Sequence, residues 1–151
     1  MKESFIKSLL AIAVFLVTQQ NLSAQKGNAA SVYKKVNPAV VKVLSYNKYG
    51  TQLSQGSGVI VSDKGLIVTN LHLFTISETT VERIEVKHEL KVFESEGVVA
   101  WDVKNDLLLL KVKDKNLHEI KLGNDNNVTI GEAIYAIGSP VGYENTISEG
   151  I

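Results

Sequence analysis

No cysteine occurs anywhere in the 151 residues. That excludes disulfides, a thiolate nucleophile, a lipidated cysteine, and any zinc or iron–sulfur centre ligated through sulfur. An excess of charge of one sign is missing too, since 16 Lys and Arg balance 16 Asp and Glu. Beyond Lys34-Lys35 no basic cluster stands out, so nucleic acid is not an expected partner. Histidine is scarce, and His88 and His118 lie too far apart to pair as ligands; no metal site and no cofactor are expected. The run GNDNNVTIGE lacks the ligand alternation and terminal bidentate Glu of an EF-hand loop, and reads as a connection. Long hydrophobic runs are absent. The apolar stretch Leu9–Val17 is too short to cross a bilayer core of roughly 30 Å as a helix.

What is present begins with a three-part N-terminus. MKESFIKSLLAIAVFLVTQQNLSAQ places Lys2 and Lys7 ahead of the apolar stretch, then a polar run ending in small residues at Ala24. This is the pattern of a secretory signal over residues 1–24 and implies an exported protein, periplasmic or secreted. Leu22 is an unusual residue two places before the cut, which leaves an uncleaved N-terminal membrane anchor as the alternative. Removal of Lys2, Lys7 and Glu3 gives the mature chain a net charge of −1. An exported domain without disulfides has to be held by its core. The composition, 44% hydrophobic and 21% charged, is that of a globular chain of about one domain.

Residues 25–38 read as a helical lead-in, with the helix over 29–37, capped by Asn28 or Ser31 and ended by Pro38. The periodicity then changes. AVVKVLSY, GVIVS, LIVTN, ERIEVKH, VFESEGVVAW, DLLLLKV, AIYAIGS and NTISEGI are short, rich in β-branched residues, and separated by Gly, Asn and Asp. VSDKGLIV is a hairpin, and a turn is expected at 71–76. Many short strands joined by tight turns predict an all-β barrel or sandwich. DLLLLKV is apolar enough to predict a strand buried on both faces. Trp101 and Tyr135 read as core or inter-barrel aromatics, and Glu82, Arg83, Glu85 and Lys87 as the wet side of a strand.

One histidine stands out. His72 directly follows LIVTN. An imidazole in a core needs a partner for each ring nitrogen, so His72 is either a satisfied core residue or a group held to move protons. Acyl transfer by a hydroxyl needs a base, and that base needs a carboxylate to fix its tautomer. Asp106 opens DLLLLKV and would suit such a role. An aspartate ahead of a strand is also a common turn residue, and composition leaves both readings open.

Taken together, GSGVIVSDKGLIVTNLHLF, VVAWDVKNDLLLLKV and AIYAIGSPVGYENTISEGI resemble the trypsin-like serine proteases of the HtrA (Deg) branch. The resemblance covers about residues 30–151. It implies an all-β, trypsin-like double β-barrel: the first barrel complete over 39–125, the second truncated and begun over 126–151. Thr69-Asn70-Leu71-His72 matches the segment carrying the catalytic base, with Leu71 where a second asparagine is common. Asp102-Val103-Lys104-Asn105-Asp106-Leu107 matches the segment carrying the orienting aspartate. By resemblance His72 is the general base and Asp106 its partner. HELKVFESEG lacks the usual Asp-Gly turn, which predicts an atypical loop there.

The family's nucleophilic serine lies in a Gly-Asn-Ser-Gly-Gly segment, and residues 1–151 contain none. Ser57 reads as a turn residue. Ser139 precedes Pro140, which has no N–H for an oxyanion hole. The expectation is therefore an exported HtrA-like serine endopeptidase represented by a fragment, inactive alone. By resemblance it acts on unfolded or misfolded polypeptides and assembles as a homo-trimer. The competing expectation is a non-catalytic trypsin-fold binding or assembly module, against which stand the unpaired strand edges it would expose.

Overall fold

The computed structural model describes residues 28–75, 80–139 and 146–151. The signal-like segment 1–24 and Pro140 lie outside the described residues. Helix α1 (Asn28–Val36) opens the fold, and a short 3-10 turn, Asn37–Ala39, contains Pro38 near its start. Ala29, Val32, Tyr33 and Val36 are half-buried while Lys34 and Lys35 are exposed, so α1 has an apolar stripe at helical spacing. That stripe matters because α1 leans on the second sheet, described below.

Six strands close into a barrel: β1 (Val40–Tyr46), β2 (Gln52–Ser62), β3 (Leu66–Asn70), β4 (Arg83–His88), β5 (Lys91–Asp102) and β6 (Leu107–Val112). Their order around the barrel is β1-β2-β3-β6-β5-β4, antiparallel at every seam including β4 to β1. Closure leaves no free edge in this part of the chain. A second, two-stranded antiparallel sheet pairs β7 (Ile134–Gly138) with β8 (Thr146–Gly150).

Alternation along the strands builds the interior. Val41 and Val43, Ile60, Ile67, Val86, Phe93, and Leu108, Leu110 and Val112 form one buried cluster, with Ala39 at its end. Glycine makes the interior close-packed at one point. A Cβ on Gly58 would stand 2.9 Å from Val43 Cγ2 and 3.0 Å from Ile67 Cγ2. The β2–β3 hairpin turns through Gly65 at φ +92, with the Val112 carbonyl only 2.6 Å from where a side chain would begin.

Several expectations need correction. β6 is buried on one face only, since Leu107 is exposed and Leu109 half-buried. The strand buried on both faces is β1, because its outer side packs on β7. Trp101 is 66% exposed and is not a core residue. Beyond bulges at Ser95/Gly97 and Val98/Ala100, the last residues of β5 are exposed on both faces. Ser57 lies within β2 rather than in a turn, and its Oγ accepts the Ser139 N–H at 2.8 Å, tying β2 to the end of β7. The HELK loop is a two-residue turn in which Glu89 takes φ 52 without a glycine. The polar face of β4 is as expected: Glu85 pairs with Arg83 and Lys87 and accepts the Tyr46 hydroxyl proton.

Candidate active site

β3 ends at Asn70, opposite Leu107 at the start of β6. The chain leaving β3 makes a 3-10 turn, Leu71–Leu73, and the chain entering β6 arrives through Asp106. Pairing these two strands therefore brings residues 34 positions apart to one end of the barrel. Asp106 holds φ 54, a left-handed conformation uncommon for a residue with a side chain. Its polar groups show what compensates. The Asp106 carbonyl accepts the Leu71 N–H at 3.2 Å and the Asn70 Nδ2–H at 3.1 Å. Oδ1 accepts the His72 backbone N–H at 2.8 Å. Oδ2 accepts from Asn70 Nδ2 at 3.1 Å and meets His72 Nδ1 at 2.6 Å.

A carboxylate only accepts hydrogen bonds, so Nδ1 carries the proton and the neutral ring keeps its lone pair on Nε2. His72 is 65% exposed and Asp106 43%. The core alternative for His72 is thereby removed: the ring lies on the surface, held on one side and open on the other. The His72 ring N–H, then its backbone N–H, hold the Asp106 carboxyl below the usual carboxylate range, with Asn70 adding to the effect. The carboxyl therefore stays ionised at neutral pH.

The preceding aspartate has a different task. Asp102 accepts the Asn105 backbone N–H at 3.1 Å and its Nδ2–H at 2.6 Å, closing the turn that delivers Asp106. The Asn105 side chain, then its backbone N–H, lower the Asp102 carboxyl as well. Asn70 was not singled out by sequence reasoning as a partner of Asp106. Its place in Thr-Asn-x-His, at the strand end that faces Leu107, was the available signal. Thr69, buried beside it, donates its hydroxyl proton to the Ser57 carbonyl at 2.7 Å.

Ser139 is buried, so its hydroxyl is closed to a substrate as well as followed by a proline without an N–H. A cleft of about 450 Å³ runs along β4 and β5, lined by residues such as Glu85, Phe93 and Glu94; it includes neither His72 nor Asp106. Among the described residues no three His, Asp or Glu side chains group as metal ligands. No described helix is long and apolar enough to cross a membrane.

Comparison with known proteins places this barrel in a family. A family model described as a trypsin-like peptidase domain fits residues 56–151. The chain belongs to the trypsin-like peptidase family. Within it, the chain is 37% identical over 134 residues to the serine protease HTRA1 of Xenopus laevis, covering 81% of the chain and 27% of that protein. It is 37% identical over 98 residues to a probable periplasmic serine endoprotease, DegP-like, of Pseudomonas fulva, covering 65% of the chain and 20% of that protein. The chain thus spans about a fifth to a quarter of the length of these curated relatives. Among solved structures, a serine endoprotease from Yersinia pestis superposes with a TM-score of 0.71 at 33% identity, over 82% of this chain and 43% of that one. Deg5 does so with the same TM-score at 29% identity, over 87% and 65%. These trypsin-like relatives are of the HtrA type, as the three motifs implied.

Proposed function

We propose that these residues form the base-and-acid half of an exported HtrA-like serine endopeptidase. The observation that carries the reading is the 2.6 Å contact of His72 Nδ1 with Asp106, in a chain of the trypsin-like peptidase family. His72 Nε2 takes the proton of a serine hydroxyl as its oxygen attacks the scissile carbonyl carbon. The same proton passes to the leaving amine nitrogen as the C–N bond breaks, and water then releases the acyl group by the reverse proton path. Asp106 keeps the ring in the tautomer with Nε2 unprotonated and stabilises the imidazolium that forms. Asn70 and the His72 backbone N–H orient the carboxylate.

The nucleophile is not among residues 1–151 in this proposal. Ser57 is engaged with Ser139, Ser139 is buried, and no Gly-Asn-Ser-Gly-Gly segment is present. The span alone is accordingly inactive, and a serine-bearing segment completes the triad. The signal-like residues 1–24, with relatives named periplasmic, support export to the periplasm. The resemblance extends the proposal to unfolded polypeptides as substrates and to a homo-trimer. The test is cleavage of an unfolded, fluorophore-labelled polypeptide by the protein isolated whole from its own organism, with its intact mass measured alongside. Cleavage by a protein heavier than residues 25–151 supports the reading. A product of that short mass without activity would favour the binding module.

A further inference from the structure

The turn that carries His72 is fastened at its front by Asp106 and Asn70. Its rear is held by something the family assignment does not explain. The Leu73 carbonyl, directly after His72, receives no backbone N–H among the described residues. Instead two hydroxyls from neighbouring strands converge on it: Ser54 Oγ at 2.5 Å and Ser45 Oγ at 3.1 Å. The two hydroxyl oxygens are themselves 2.7 Å apart. Ser45 and Ser54 face each other across the β1–β2 seam, and Ser45 is only 1% exposed.

Two hydroxyls have two protons for three contacts. The two short contacts select a relay in which Ser45 donates to Ser54 Oγ and Ser54 donates to the Leu73 oxygen. Ser45 already stands within reach of the same oxygen, so loss of either hydroxyl leaves the other able to donate. Alongside, the Leu73 side chain fills the space left by Gly56, where a Cβ would be 2.5 Å from Leu73 Cδ1. The buried hydroxyl of Ser45, which follows Val43 and Leu44 in β1, needs a polar partner, and this carbonyl supplies it.

We infer that Ser45 and Ser54 are positioning residues for the base: a redundant hydroxyl pair that clamps the Leu73 carbonyl and so fixes the His72 ring against Asp106. This rests on the reading of His72 as the general base. A turn released at its rear would let the ring shift relative to both Asp106 and the attacking hydroxyl, and small displacements of that kind are costly in rate.

The experiment uses the whole protein as wild type, Ser45→Ala, Ser54→Ala, the double variant, and Ser54→Thr. Two readouts are taken: kcat and KM on a fluorogenic peptide, and the low-field proton resonance of His72 Nδ1–H. Each single alanine variant is expected to lose less than about threefold in kcat. The double variant should lose about ten- to a hundredfold with KM little changed, and its Nδ1–H resonance should broaden or shift. Ser54→Thr, which keeps the donor, should match wild type. Additive small losses in kcat with an unmoved resonance in the double variant would overturn the clamp. The resonance does not depend on turnover, so it decides the clamp even if a His72→Ala variant keeps full activity and the peptidase reading fails. Should the double variant not fold, Ser45→Ala/Ser54→Cys keeps the volume with only a weak S–H donor. The same two outcomes then apply to it.

Discussion

Asp106 concentrates more of the site's chemistry than any other described residue. Its left-handed backbone aims the carboxylate back at the chain leaving β3, and Asn70, Leu71 and His72 make five hydrogen bonds to Asp106, three at the carboxylate and two at the carbonyl. Asn in its place would keep the size but could offer Nδ1 an N–H, favouring the wrong tautomer. Asp106→Asn is therefore expected to lower kcat by about 10⁴-fold in the whole enzyme with the fold retained, as steady-state kinetics and circular dichroism would check. The pH dependence follows from the same contacts. The carboxyl titrates lower in the folded protein than in the unfolded chain, so the folded state binds fewer protons at this site. Its contribution to stability is present above the unfolded pKa and is lost as the pH falls through the lowered folded value. A carboxyl-carbon NMR titration should find the Asp106 midpoint below that of an unperturbed aspartate. A midpoint at or above it would contradict the hydrogen-bonding scheme.

At the scale of elements, glycines decide how closely strands and turns approach. Gly58→Ala sets a methyl against Val43, Ile67 and Val41 in the packed interior, with contacts of 2.9 to 3.1 Å to be relieved. A loss of about 1–3 kcal/mol is expected in denaturant unfolding, from overpacking. Gly65→Ala adds strain at φ +92 to a clash with two backbone carbonyls, which cannot rotate away; it should destabilise at least as much. Gly56→Ala meets only the end of the Leu73 side chain, and should cost less stability while still disturbing the turn behind His72. These three variants separate the barrel's packing from the site's positioning. Gly-Ser-Gly is thus a structural signature as much as a family one: Gly56 admits Leu73, Ser57 binds the second sheet, and Gly58 admits the core.

At the scale of the whole molecule, the barrel's interior is one apolar cluster, and no disulfide shares the task of holding it. Leu110→Ala, at the centre of β6, is expected to lose about 2–5 kcal/mol. The strands were legible in the sequence because alternation and turn residues mark them: LIVTN is β3 to the residue, and ERIEVKH overlaps β4 almost completely. The pairing of His72 with Asp106 was legible only through the motifs, since nothing local joins residues on two strands. The burial of β1 on both faces, the exposure of Trp101 and the hydroxyl clamp were not legible. The first two depend on how β7 and the end of β5 lie against the barrel, and the third on how the turn after β3 meets the β1–β2 seam, none of which strand periodicity encodes. Whether His72 activates a serine is the central question for this molecule. The most direct measurement is the rate of covalent labelling by a fluorophosphonate probe, compared between the whole protein and its His72→Ala variant. A loss of labelling rate of about 10³-fold or more, with the fold intact, is predicted. Equal labelling of both proteins, or none of either, would contradict it.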